Sequence, residues 1–171
     1  SQTYIGAIKD HCPNAKLVLD RFHIAKALNE ALDQVRKEQW RQATGAERKA
    51  LKGLRWLLFK HPSKRTKDDK LILDALRRGN RRIHRACVLK DEFDLFWDYK
   101  APWAAERFLK RWCTATLRSR LEPLRRFVRT IKKHHDNIIT FIGSGGLTNA
   151  IAEGINRIIG IVKNRASGFR N

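Results

Sequence analysis

Acidic side chains are scarce in this chain: 17 Asp and Glu stand against 37 Lys and Arg in 171 residues, and methionine is absent altogether. The formal net charge is therefore +20, with an isoelectric point near 10.7. A field of that size does not select a fold, but it draws polyanions, nucleic acid first and an anionic membrane surface second. No apolar run approaches the ~20 residues that span a bilayer, and the opening SQTYIGAIKD has neither the basic region nor the apolar core of a signal peptide. A cytoplasmic location is the expectation. Cys12, Cys87 and Cys113 are odd in number and widely spaced, which fits neither a disulfide framework nor a zinc site and leaves reduced, structural thiols. The missing methionine, even at position 1, means either a lost initiator or a piece of something longer.

What remains is ordinary for one globular unit: 42% of the residues are hydrophobic, and the length suits one compact domain rather than two. Residues 1–11 carry Tyr4, Ile5 and Ile8 at helical spacing and are stopped by Pro13. AKLVLD then reads as a short buried strand over residues 16–20, the one convincing strand of the chain. From Phe22 the pattern is helical. Ala25, Leu28, Ala31, Leu32 and Val35 fall on one face of a helix to about Trp40. A turn at Thr44 and Gly45 precedes AERKALKGLRWLLFK, and HPSKRTKDD is a basic loop around Pro62. Helical segments follow near 68–78, 80–98 and 103–134, the last split by Pro123 with a cap at or near Ser119. A shorter segment lies around residues 138–142, and glycines 143, 145 and 146 lead into a final helix.

The positive charge clusters. Arg77, Arg78, Arg81, Arg82 and Arg85 gather at one helix junction, while Arg118, Arg125, Arg126, Arg129, Lys132 and Lys133 recur at mostly helical steps. Cations so spaced can line up along a phosphate backbone and release its counterions. No base-reading module is visible, so contacts to backbone and shape are expected. Trp56, Trp103 and Trp112 are interleaved with these bases. They could stack on unpaired bases, but aromatics at helical spacing are more often core, and that is the favoured reading.

The closing stretch LTNAIAEGINRIIGIVKNRASGFRN places Ile151, Ile155, Ile158, Ile159 and Val162 on one stripe, expected to dock on a core. Asn149, Glu153, Asn156, Arg157, Gly160 and Asn164 share the other side. Helix physics alone makes Glu153 an i, i+4 ion partner of Arg157, worth a few tenths of a kcal/mol. The small neighbours Ala152 and Gly154 leave room beside it, and a carboxylate on a rigid helix near a basic surface is also what metal-assisted phosphoryl transfer needs of a ligand. Asp20 caps the helix beginning at Arg21, with His23 in its first turn, or else lies at a strand end beside an active site.

TNAIAEGINRIIGIVKNRASGFRN resembles the end of the catalytic domain of DDE-type insertion-sequence transposases of the ISL-three group, and PNAKLVLDRFHIAKALNEAL is similar to that group's mid-domain signature. The resemblance implies a mainly α chain with one or few β-strands: a partial ribonuclease-H-like α/β fold carrying a large all-helical insertion. Residues 1–43 would be partial core, 44–134 the insertion and 135–171 the returning core helices. Glu153 then matches the family's final catalytic acid and metal ligand, with Asn149, Asn156 and Arg157 around it; Asp20 is a possible further ligand and His23 a possible support. The family's first acid lies upstream and its second precedes a Met-Ser-x-x-Tyr stretch, whereas this chain opens with SQTY, so the resemblance implies truncation at the N-terminus. Two metals need several bridging carboxylates. Mg2+ or Mn2+ is expected in the full-length relative but not firmly in this piece, which alone should neither cut nor join DNA. DNA is the expected partner, with self-association or a full-length transposase beside it, no membrane and no small-molecule substrate, in the bacterial cytoplasm on the nucleoid. The alternatives are a non-catalytic basic DNA-binding helical module that regulates a complete transposase and, more remotely, a helical RNA-binding protein.

Overall fold

The structure, a computed structural model, describes residues 21–145 together with Ile158, Ile161 and Val162. The expected strand at 16–20, Asp20, and the acid-bearing face of the final helix lie outside the described residues. Among the described residues there is no strand, and eight α-helices with two 3-10 turns account for most of the chain.

The first helix, α1 (Arg21–Gln42), contains no Gly or Pro and buries Ile24, Leu28, Ala31, Leu32 and Val35, the i, i+3, i+4 stripe expected of it. Two short helices follow, α2 (Gly45–Leu51) and α3 (Leu54–Phe59). The hinge between them turns on Gly53, whose φ of 82° is left-handed backbone that side chains with a Cβ seldom adopt. After the 3-10 turn Pro62–Lys64 comes α4 (Lys67–Gly79). Its start is fixed by a reciprocal cap: Thr66 Oγ1 accepts the Asp69 N–H at 3.2 Å, and Asp69 Oδ2 accepts the Thr66 N–H at 2.9 Å. Asn80 caps α5 (Arg81–Asp94) by accepting the Ile83 N–H at 3.0 Å, and its amide also donates to Gln39 Oε1 on α1 at 3.2 Å. A second 3-10 turn, Leu95–Asp98, leads to α6 (Pro102–Arg118), then α7 (Glu122–Lys133) and α8 (His135–Gly143).

Pro123 does break the long basic segment in two. Ser119, however, closes α6 and does not start α7: its hydroxyl donates to the Thr116 carbonyl at 2.6 Å and accepts the Leu121 N–H at 3.3 Å. Leu121 holds the N-cap position, and Arg120 between them takes a left-handed φ of 59°. The polar loop expected at 61–69 is shorter than its composition suggests, because α4 already begins at Lys67.

Helix α1 packs on α5 and α7, α4 packs on α5, and α6 packs on α7 and α8. One hydrophobic cluster runs through all of them. Its hub is Phe93, fully buried on α5. The Phe93 ring lies 4.7 Å from Trp112, 5.6 Å from Phe127, 5.5 Å from Phe96 and 5.9 Å from Trp97, all edge-on except Phe96. Trp112 keeps its one polar atom satisfied by donating to the Leu89 carbonyl at 2.8 Å. A half-buried ionic knot ties the 60–66 connection to α5: Arg65 bonds both oxygens of Asp91 at 2.6 and 2.7 Å, and Lys90 donates to the Lys60 carbonyl at 3.3 Å. Phe93→Ala would empty the hub and is expected to cost about 3–5 kcal/mol in a denaturant melt; a melt like that of the parent chain would contradict this packing.

Candidate nucleic-acid interface

Every cation singled out from the sequence stands exposed: Arg77, Arg78, Arg81, Arg82, Arg85, Arg118, Arg125, Arg126, Arg129, Lys132 and Lys133. All but Arg82 and Arg118 fall on two surfaces. At the junction of α4 and α5, Arg77, Arg78, Arg81, Arg85 and His84 line one open depression of about 450 Å³. The junction is rigid because Asn80 caps α5 and is tied to α1, so the arginines at the end of one helix and the start of the next converge. Asp74 is the acid paired there, 3.3 Å from Arg77 and 3.4 Å from Arg78, and it leaves the depression strongly positive.

The second surface is the outer face of α7. Pro123, Leu124, Phe127, Val128 and Ile131 are buried, which turns the five cations between them to water along one side. Glu122 pairs with Arg125 and Arg129, and Arg126 donates to Gln34 Oε1 at 2.9 Å. Exposed pairs of this sort are worth about 0–1 kcal/mol and are readily exchanged for a phosphate.

The aromatic expectation divides. Trp112 is core, as the spacing favoured, but Trp56 and Trp103 are 69% and 71% exposed, so the core reading is corrected for both. On α3 the buried side chains are Leu54, Leu57 and Leu58, and that stripe forces Arg55 and Trp56 outward. The guanidinium of Arg55 lies 5.3 Å from the Trp56 ring centre and 5.4 Å from that of Phe59. Sequence reasoning passed over Arg55; the three-leucine stripe on so short a helix was the available signal.

Of the residues expected around a metal, His23 is described and exposed, its ring edge-on to Phe22 at 5.8 Å. Glu153, Asp20, Asn149, Asn156 and Arg157 lie outside the described residues. Among the described residues no three His, Cys, Asp or Glu side chains converge as metal ligands, so those residues offer nothing that fits Mg2+ or Mn2+. Ile158 and Val162, two members of the closing stripe, are exposed; Ile151, Ile155 and Ile159 lie outside the described residues. No described helix is long and apolar enough to cross a membrane.

A basic helical protein of this kind has many possible relatives, and its own are specific. A family model described as Transposase, that of the DDE type of the ISL-three group, matches residues 1–171. The chain belongs to the DDE transposases of that group. It is 31% identical over 167 residues to the transposase for insertion sequence element IS1001 of Bordetella parapertussis, covering 96% of this chain and 41% of that one. It is 26% identical over 187 residues to the transposase for insertion sequence element IS1557 of Mycobacterium tuberculosis, covering 96% of this chain and 42% of the relative. The chain thus spans about two fifths of the length of these curated relatives. No solved structure matches.

Two buried thiols complete the picture. Burial, with the nearby Asp91 carboxylate, pushes Cys87 up to about 11, and burial does the same to Cys113, also to about 11. Both are protonated and inert at neutral pH. A raised thiol favours folding fully below its unfolded value near 9.0 and loses that contribution as the pH climbs towards about 11. Native protein at pH 8 should therefore leave both cysteines unlabelled by maleimide until denaturant is added; prompt labelling of either, mapped by mass spectrometry, would contradict their burial.

Proposed function

We propose that this chain is the C-terminal part of a transposase catalytic domain, in which a helical unit holds DNA by its phosphates while the acid chemistry is performed beside it. The observation that carries this is the convergence of four arginines on one depression at a rigid helix junction, in a chain of +20 net charge that belongs to the transposases. Duplex DNA presents about one charge per 1.7 Å of axis, and each neutralised phosphate releases counterions, so such a surface holds backbone without reading bases.

In the intact protein the reading gives residues 1–43 and 135–171 to a ribonuclease-H-like core and 44–134 to its helical insertion. Helix α1 belongs to the first of these, yet packs on α5 and α7, which would anchor the insertion to the core. Glu153 supplies one of three carboxylates, with Asn149, Asn156 and Arg157 around it and Asp20 or His23 in support. A divalent cation, Mg2+ or Mn2+, would supply charge stabilisation and an activated water for strand cleavage and transfer. The protein's contribution is to present the backbone to those acids from a fixed helical platform, in the bacterial cytoplasm on the nucleoid.

Two substitutions separate holding from chemistry. Replacing Arg81 and Arg85 together by Glu should weaken duplex binding by about ten-fold or more by removing phosphate contacts, with little change in melting because both are exposed; unaltered affinity would refute the proposed platform. Glu153→Gln should leave duplex affinity within about two-fold and remove at least ~100-fold of the metal-dependent strand transfer of an intact transposase carrying it. Retained activity would take Glu153 out of the metal site.

A further inference from the structure

A second groove lies between α1 and α3, with chemistry unlike that of the arginine depression. It holds about 550 Å³ and is lined by Phe22, Lys26, Lys37, Arg55 and Phe59 among others, a size within the ~300–1,000 Å³ of small-ligand pockets. Phe22 at its edge is 67% exposed, and Trp56 beside it is 69% exposed, edge-on to Phe59 at 6.2 Å between ring centres. Single exposed aromatics are unremarkable, but several around one groove are not. Arg55 adjoins two of them, its guanidinium 5.3 Å from the Trp56 ring centre and 5.4 Å from that of Phe59.

The charges of this groove are graded. Asp33 and Glu30 also line it. Asp33, however, is bonded to Arg36 at 2.7 Å and Lys37 at 3.0 Å and lies 3.9 Å from Arg55. Burial alone would raise its pKa, but the hydrogen bonds from Arg36 and Lys37 outweigh burial and hold the carboxyl below its usual range. It is therefore a fixed anchor for the cations around it, and Glu30 is the acid left to oppose a phosphate. Lys26, Lys37 and Arg55 are all exposed. Aromatic faces flanked by cations match a ligand that is flat and neutral at one end and anionic at the other. The arginine depression has cations and a histidine but no Phe, Tyr or Trp in its lining, so it suits backbone alone.

We infer that the groove between α1 and α3 binds unpaired DNA, with a base stacked at Trp56 and Phe59 and the adjoining phosphates on Lys26, Lys37 and Arg55. Stacking needs an open base face, which a duplex hides and a single strand offers, and it tolerates any base because each has a π-face. The inference rests on the proposal that the chain handles DNA. It adds a division of labour: duplex backbone at the α4–α5 junction, melted or unpaired nucleotides at α3.

The test uses the whole chain, Trp56→Ala and Trp56→Phe with three probes: an oligothymidylate, a fully abasic strand of equal length, and a duplex. The parent chain should prefer oligothymidylate to the abasic strand by about five-fold or more, and Trp56→Ala should bind oligothymidylate about ten-fold more weakly. Its affinity for the abasic strand and the duplex should not change, Trp56→Phe should recover most of the loss, and binding should quench Trp56 fluorescence. Far-UV circular dichroism checks that the exposed substitution leaves the helices intact. Equal weakening on all three probes, or no weakening on oligothymidylate, overturns the groove assignment while leaving the backbone platform standing. Failure of the parent chain to bind even the duplex overturns the DNA-holding proposal itself, and the groove with it.

Discussion

A surplus of twenty positive charges is the constraint on which the rest of this structure depends. Like charges cannot be buried together at tolerable cost, so each helix has to confine its apolar residues to one stripe and turn its cations to water. Among the described residues the buried charges are few, and they are paired: Asp33 by Arg36 and Lys37, Lys90 by Asp94 at 2.7 Å. The architecture that satisfies this is a set of amphipathic helices around one hydrophobic core, with rows of cations on their outer faces. The same partition that permits folding builds the surface that would meet DNA.

Aromatic rings join the parts of that core. Phe93 reaches Phe96, Trp97, Trp112 and Phe127, and Trp97 in turn meets Phe141 on α8 at 5.7 Å. Phe93 therefore links the two 3-10-joined helices to the basic helix α7, and Trp97 extends the chain of rings to α8. Holding α7 by its inner face is what makes its outer row of cations a row. Of the aromatics left outside, Phe22 shares a groove with Lys26 and Arg55, and Trp56 lies beside Arg55 and Phe59, so both suit a surface site better than a core.

Helical character was readable from residue spacing alone. Leu28, Leu32 and Val35 marked the buried face of α1, and Pro123 marked the break between α6 and α7. Boundaries were less legible, since Ser119 has the composition of an N-cap but the backbone of a helix end, and only the left-handed Arg120 after it decides between the two. Exposure of Trp56 was missed because side-chain type was weighed above phase: on α3 the leucines at 54, 57 and 58 already fill the inward positions. Ile158 and Val162 carry a periodic stripe yet stand exposed, and periodicity says which face is apolar without saying what covers it. The proposal of an acid centre at Glu153 rests on resemblance, because by helix physics alone that residue is as well explained by an ion pair with Arg157. The clustering of Arg77 with Arg81 and Arg85 was visible in sequence, whereas their convergence on one depression depends on Asn80 joining two helices at a fixed angle.

The central claim, that this helical platform holds DNA through phosphates, is tested most directly by the salt dependence of duplex affinity. A plot of log affinity against log salt should be linear and steep, falling about 0.9 per phosphate engaged, so that four or five contacts give a slope near −4. A slope near zero, with affinity indifferent to salt, would contradict the account.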